Sequence, residues 1–411
     1  MDSQNGEARM NSERLTQASS ATQAASHARV SPLQSARELS ALIRESADQI
    51  EATRELPKPL FHALADAGMF HLAVPKAVGG IELDLPTYTL VIEEIGKADA
   101  STGWCVNQGA IFGTYAARMP VETARAIWID TPRSVVANTP APVGKAVVAP
   151  GGFRVTGRHP FSTGCRHASW LASQSQVIEN GEVRMQDGKP EARYCLVPVA
   201  EAEIHDTWRT RGMRGTGTHH WSVNDVFVPA ERTFLYASAP LVQPGPLYKI
   251  PRTLAFACGD SAVGLAVARS CLEAFIDLAG AKSPRYVKGL LREQALAQVT
   301  VGRAEARIRS GRAFLMEAIG EAWNEAVATG AVSLERRAAL RLATTHGIRI
   351  AAEVVDDLYN AAGATAAFEG HVMQRHFQDI HVITQHVQGR LSHYELVGKL
   401  ALGVPTEIQH M

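Results

Sequence analysis

Phosphate loops, paired-cysteine spacings and long apolar runs are all missing from this 411-residue sequence, and each absence removes a class of function. There is no GxxxxGK(S/T), and no GxGxxG stands between a strand and a helix, so neither a P-loop nor a dinucleotide fold is indicated. Arg214–Thr218 is glycine-rich, but it lies among strand-like segments with no helix after it. GxSxG, HExxH and the kinase signatures are also absent. The five cysteines, Cys105, Cys165, Cys195, Cys258 and Cys271, are scattered without CxxC spacing. Such a set fits reduced thiols in a cytoplasm better than a disulfide framework or a zinc site. No apolar run reaches the ~18 residues of a membrane span. Met1–Ser31 is polar, with no apolar h-region, so no signal peptide is expected. Neither sign of charge is in excess: 41 Lys+Arg balance 41 Asp+Glu, which argues against a nucleic-acid binder. Fifteen histidines invite a metal reading. His219 and His220 would point to opposite faces of a strand, however, and His381 and His386 stand roughly 140° apart around a helix. No metal is expected.

What is present is the composition of a globular protein, 46% hydrophobic and 20% charged, long enough for more than one domain. Residues 1–33 carry too few large apolar side chains to offset ordering entropy and are expected to form a disordered tail. Helical spacing starts at Ala36 with Leu39, Leu42 and Ile43, and resumes with Leu60, Leu64 and Ala67 before Gly68. Thr87–Gly96 and Ser101–Arg118 read as further helices, completing a helical domain over 34–133. Short β-prone runs follow over 134–250: Ser134–Asn138, Lys145–Ala149, Phe153–Arg158, Trp170–Val177, Arg193–Pro198 and Trp221–Val228. Gly151-Gly152, Asn180-Gly181 and Asp187-Gly188 punctuate them like hairpins. A small barrel or sandwich is expected there. Residues 251–411 return to long Ala/Leu/Arg-rich stretches, with no proline between Arg285 and Val404, which reads as a bundle of long helices.

Five stretches in this order resemble the acyl-CoA dehydrogenase family across nearly the whole chain after the tail. They are Leu64–Phe70 with Val74-Pro75 and Gly79-Gly80; Glu93–Gly96 with Asp99–Trp104; Phe161–Trp170; Arg211–Thr218 with Val226–Pro229; and Gly363-Ala364 with Gln374–His381. The resemblance implies an α+β fold with an N-terminal helical domain, a central β-barrel or sandwich and a C-terminal four-helix bundle. In many dehydrogenases of the family a glutamate eight positions after the Asp of an Arg-Asp pair removes the α-proton. Here Asp379 follows Gln378, and eight positions on stands Val387, which cannot accept a proton.

The wording of the motifs is more similar to the flavin-dependent monooxygenase branch, the two-component hydroxylases of phenols, steroid catechols and dibenzothiophene. That resemblance implies an oxygenase component using reduced flavin (FMNH2 or FADH2) and O2 through a flavin C4a-(hydro)peroxide to oxygenate a small aromatic or polycyclic substrate. It also implies a separate NAD(P)H:flavin reductase, a homotetramer, and no nucleic-acid or membrane partner. The implied catalytic residues are His386 and Thr163. A hydroxyl at Thr163 would hold the flavin N5 proton by accepting its hydrogen bond, and His386 would stabilise the peroxide or deprotonate an aromatic hydroxyl. Cofactor contacts are implied at Ser162, Thr163, Arg285 and Gly363, and substrate contacts at Trp104, Asn138, Arg214 and His386. His219-His220 stand where an Asp is common, and the sequence leaves their role open. Alternatives are an acyl-CoA dehydrogenase with a displaced base, a nitro- or amino-compound oxidase, and a non-catalytic scaffold.

Overall fold

The computed structural model describes residues 30–235 and 240–408. Of the segment expected as a tail, residues 1–29 lie outside the described residues, and Ser31 already caps the first helix. Helix α1 (Pro32–Thr53) starts with proline at its first position, and the Ser31 hydroxyl accepts from the Gln34 N–H. Its buried residues Ala36, Ser40, Ile43 and Ile50 lie on one stripe. Helix α2 (Lys58–Asp66) stops just before Gly68, whose φ of +76° favours glycine. Helix α3 (Leu85–Ala98) is capped by Asp84 and helix α4 (Ala100–Ile111) by Asp99, whose carboxylate accepts the N–H and the hydroxyl of Thr102 at 2.6 and 2.7 Å. These two helices cross closely because a Cβ on Gly103 would lie 2.8 Å from the Gly96 Cα. A 3-10 segment (Phe112–Arg118) continues α4, and α5 (Val121–Trp128) ends the helical layer.

The central strands are β1 (Val136–Ala149), β2 (Gly152–Ser162), β3 (Trp170–Glu179), β4 (Glu182–Val183), β5 (Met185–Gln186), β6 (Lys189–Pro190), β7 (Ala192–Pro198), β8 (Glu203–His205), β9 (His219–Pro229) and β10 (Thr233–Leu235). The module expected as a barrel or sandwich is one open sheet, ordered β10-β7-β3-β1-β2-β9-β8, with β4 paired to β3 and β5-β6 as a separate ribbon. All its pairings are antiparallel except β1 with β3. Ser134–Asn138 and Lys145–Ala149, read as separate strands, are the two ends of β1; its pairing with β3 shifts register between Thr139 and Gly144. One face of the sheet packs Val136, Ala172, Tyr194 and Leu196 against Phe112, Tyr115 and Trp128 of the helical layer. The other face encloses its own core. Cys195 and Val197 of β7 share a cluster with Trp221 and Val228 of β9, although three strands separate β7 from β9. The sheet rolls around that cluster without closing.

The C-terminal helices are α6 (Arg252–Ala281), α7 (Ala295–Thr329), α8 (Leu334–Ala362), α9 (Val372–Ile383) and α10 (Ser392–Ala401). α6 to α9 pack as the bundle, and α6 also packs against α3 and α4. Its buried residues run from Leu254 to Ala279 around most of its circumference, as expected of a helix surrounded by others. Among the described residues no helix is long and apolar enough to cross a membrane.

Candidate active site

Helix α4 carries the site. Its residues are almost all buried, and neighbouring side chains point into different partners. On one side Cys105 packs its sulfur against the carbonyls of Gly215 and Thr216, at 4.0 and 3.8 Å. On another, Trp104, Asn107 and Gln108 face α6 and the segment after α9. The loop 212–217 is seated by two close approaches. A Cβ on Gly212 would lie 2.1 Å from the Gln378 carbonyl oxygen, and one on Gly215 would lie 1.9 Å from the Ile50 Cγ2. The Met213 N–H donates to the Asp379 carboxylate, and the Trp208 indole N–H donates to the Met213 carbonyl at 2.9 Å. Burial drives Asp379 up to about 8.

This seating joins the two glycine-containing motifs. The Gly164 N–H donates to the Thr216 carbonyl at 2.9 Å. The Thr163 hydroxyl lies 3.0 Å from that of Thr218, Thr218 lies 2.7 Å from Thr216, and Thr216 donates to the Met213 carbonyl at 2.8 Å. Since Thr216 uses its proton on a carbonyl, it accepts from Thr218, which in turn accepts from Thr163, whose lone pairs stay free to accept. Next to Thr163, the Ser162 Oγ is buried with no hydrogen-bond partner among the described residues. Phe161, at φ 57° and 60% exposed, turns the strand end outward, its ring edge-on to His220 at 5.4 Å.

His386 begins the 3-10 turn Val387–Gly389 just beyond α9. Its ring meets Trp104 edge-on at 5.0 Å, and its Nδ1 lies 3.1 Å from Oδ2 of Asp260, a fully buried residue of α6. That contact has ion-pair distance without hydrogen-bond alignment, and neither atom bonds to anything else among the described residues. Asp260 Oδ1 accepts from Asn107 Nδ2 at 2.8 Å and Gln108 Nε2 at 3.2 Å, and the Tyr88 hydroxyl donates to Asn107 Oδ1 at 2.8 Å. Tyr88, Asn107, Gln108 and Asp260 were invisible to motif reading. The available signal was a lone carboxylate inside the small-residue run Cys258-Gly259-Asp260-Ser261 of an apolar helix.

The other sequence-derived candidates lie as follows. Asn138 is 8% exposed near the start of β1, with its Oδ1 unpartnered among the described residues. Strand alternation places it on the same face as Val136, toward the helical layer. Arg214, expected at the substrate, spends its guanidinium on the Glu51 carboxylate at 3.0 Å and on the Glu51 and Thr210 carbonyls. It ties the loop to α1. Arg285 is exposed after α6, over the ring of Tyr286 at 4.7 Å. Gly363 ends α8 at φ 63° and is exposed. Neither meets the α4 site within one copy of the chain. His219 is structural: its Nδ1 accepts the N–H groups of Thr207 and Trp208 at 3.2 and 3.1 Å, and burial lowers it to about 4.

A flavin ring presents N–H donors and carbonyl acceptors along one edge of a flat apolar body. The hydroxyl of Thr163, the orphaned buried Ser162 Oγ and the aromatic wall of Trp104 suit such a group. The residues present therefore fit reduced flavin.

Comparison with known proteins agrees with this architecture. The chain matches the acyl-CoA dehydrogenase N-terminal domain over residues 33–130 and the acyl-CoA dehydrogenase C-terminal domain over residues 258–390. The chain belongs to the acyl-CoA dehydrogenase family. Within it, the chain is similar to flavin-dependent monooxygenases. Indole-3-acetate monooxygenase of Pseudomonas putida is 31% identical over 82% of this chain and 85% of its own length. The oxygenase subunit HsaA of the flavin-dependent monooxygenase of Rhodococcus jostii is 27% identical over 88% and 96%. Among solved structures, 3-HSA hydroxylase from Rhodococcus sp. RHA1 matches with a TM-score of 0.84 and 26% identity, over 94% of this chain and all of its own. XiaF from Streptomyces, in complex with FADH2 and glycerol, matches in fold with a TM-score of 0.86 at 23% identity, over 93% and 98%.

Proposed function

We propose that this chain is the oxygenase component of a two-component flavin-dependent monooxygenase acting on a small aromatic or polycyclic substrate. The observation that carries the reading is the pairing of His386 with the buried Asp260 beside Trp104, where the dehydrogenase pattern would put a carboxylate base and this chain has Val387. Reduced flavin, FADH2 or FMNH2, supplies electrons to O2 when bound. The protein's part is placement. Ser162 and Thr163 would hold the polar edge of the ring, with the Thr163 hydroxyl accepting a ring N–H. Trp104 and the buried face of α4 keep water from the reacting atoms. His386 takes or holds a proton at the substrate, and Asn138 offers its unpartnered amide oxygen to the substrate. Arg285 and Gly363, both exposed on the bundle, would reach the flavin of a neighbouring copy in a homotetramer. The flavin would arrive from a separate NAD(P)H:flavin reductase, in the cytoplasm.

Rapid mixing of the protein and anaerobically reduced FAD or FMN with O2 tests this. The expected result is an absorbing species distinct from oxidised flavin that persists before the oxidised spectrum returns. Immediate reoxidation, together with oxidation of acyl-CoA thioesters by an artificial acceptor, would overturn the reading in favour of a dehydrogenase.

A further inference from the structure

Beside the turn that carries Thr163 lies a cavity of about 340 Å³ that shares no lining residue with the Trp104–His386 site. That volume is at the small end of the ~300–1,000 Å³ of ligand pockets. Its walls come from the start of α2 with the residues just before it, and from the connection between β2 and β3. Leu56 and Phe61, both buried, form an apolar floor. The His167 ring stacks on Phe61 with centroids 4.9 Å apart and planes 26° from parallel. Burial lowers His167 to about 4, so its ring adds surface and no charge at neutral pH. The rim carries two cations, Lys58 and Arg166, against one carboxylate, Glu55. Arg166 holds Glu55 by a single bond of 3.3 Å, while Asp206, 3.7 Å away, is already bidentate to Arg54 at 2.7 and 2.8 Å. Lys58 is exposed and in no ion pair among the described residues. The mouth therefore has an excess of positive charge over an aromatic floor. The same imidazole touches the flavin-side turn: a Cβ on Gly164 would lie 2.5 Å from His167 Nε2, and the Gly164 N–H is the donor to Thr216.

We propose that this cavity is a second binding site, for a small aromatic carboxylate, and that its occupant acts on the Thr163 turn through His167. The aromatic body would lie against Phe61, Leu56 and the imidazole, with the carboxylate at the mouth between Arg166 and Lys58. A guanidinium takes a carboxylate through two parallel N–H···O bonds, stronger and better directed than the single one it gives Glu55. Glu55 can yield its place, since its side chain is 38% exposed and turns readily to water. A free phosphate would leave the apolar floor uncovered, and an uncharged aromatic would leave the cations unanswered. The binding site stands independently of the oxygenase reading; the coupling rests on that reading for the place of Thr163 at the flavin.

The experiment titrates flavin-free full-length protein, carrying 15N-labelled histidine, with 1-naphthoate. The His62 ring, which lines the cavity from the exposed side of α2, is assigned by its loss in His62→Gln. Its signal is expected to shift and saturate in wild type. Lys58→Glu keeps the fold, because Lys58 is the first residue of α2 and a carboxylate is favourable there. That variant, Arg166→Glu, and wild type titrated with the uncharged 1-naphthamide should each show binding about tenfold weaker. A His62 signal that does not move, or equal binding of the acid by Lys58→Glu or of the amide by wild type, overturns the site. The coupling is read from anaerobic binding of reduced FAD with and without saturating 1-naphthoate. Wild type should change its affinity about fivefold or more, and Lys58→Glu at the same concentration should not. No change in wild type, or the same change in both, overturns the coupling. Should reduced FAD not bind at all, the oxygenase reading and the coupling fail together, while the histidine signals still decide the site.

Discussion

At the scale of single residues, the hydroxyl of Thr163 ends a relay running through Thr218 and Thr216 to the Met213 carbonyl. Replacing it by valine keeps the branched shape and removes the only polar atom. Thr163→Val should therefore cost about 1 kcal/mol or less in stability. Coupling should suffer more, with H2O2 release rising and oxygenated product falling per reduced flavin consumed. Measuring both products with the reductase present checks this, and unchanged coupling would remove Thr163 from the flavin edge. Thr163 and His386 were singled out as candidates because each sits in a run whose wording resembles the family's. Asp260 was not, since a carboxylate in an Ala/Gly/Ser-rich helix has no local signature; only the fold brings Nδ1 of a residue 126 positions later to within 3.1 Å. Arg214 drew attention for a related reason. A charged residue among loop glycines looks available, and its engagement with Glu51 spans elements that sequence reading cannot pair.

At the scale of elements, glycines of one type divide sharply by what surrounds them. A Cβ on Gly212 would collide with the backbone carbonyl of Gln378 at 2.1 Å, and backbone in the middle of α9 cannot give way. Gly212→Ala should lose ~2–4 kcal/mol and loosen the Met213–Asp379 hydrogen bond with it. Gly302, inside α7, meets nothing within 4 Å, so Gly302→Ala should gain about 0.5–1 kcal/mol from helix propensity alone. Chemical denaturation of both variants decides the matter, and two equal effects would show that the loop is not wedged as described. Helices α1, α3 and α4 were readable because their apolar spacing agrees with N-caps at Ser31, Asp84 and Asp99. The strand pattern was readable too, yet Pro140, Pro142 and Gly144 made one long strand look like two. Propensity records the interruption, and the partner strand β3 is what carries the pairing across it.

At the scale of the whole molecule, the α–β–α order followed from the patterning of the sequence, whereas the open, rolled form of the sheet did not. Whether strands meet at the edges depends on which residues share a core, and Cys195 with Trp221 become neighbours only after the sheet has rolled. Inside that roll His159 is fully buried against Trp221 at 4.2 Å, with both ring nitrogens unpartnered among the described residues. Burial lowers it to about 4. A histidine depressed in the folded state binds fewer protons there than in the unfolded chain between the ordinary value near 6.5 and about 4. Its contribution is intact above pH 6.5 and lost as pH falls toward 4. His159→Leu should thus match wild type to within about 1 kcal/mol at pH 7 and grow steadily more stable than wild type as the medium is acidified. Denaturation midpoints of the two proteins across that range would show it, and a constant difference would mean that the ring is hydrated.

The shared beam of α4 has an evolutionary corollary. Trp104 meets His386 while the adjacent Cys105 meets the loop that seats the threonine relay, and Gly103 locks the same helix against Gly96. A substitution that shifts this helix would move the proposed proton-transfer and cofactor-seating groups in one stroke, so lineages of this chain that drift to new substrates would do so by varying side chains on β1 and the β2 exit, leaving the α3–α4 crossing untouched.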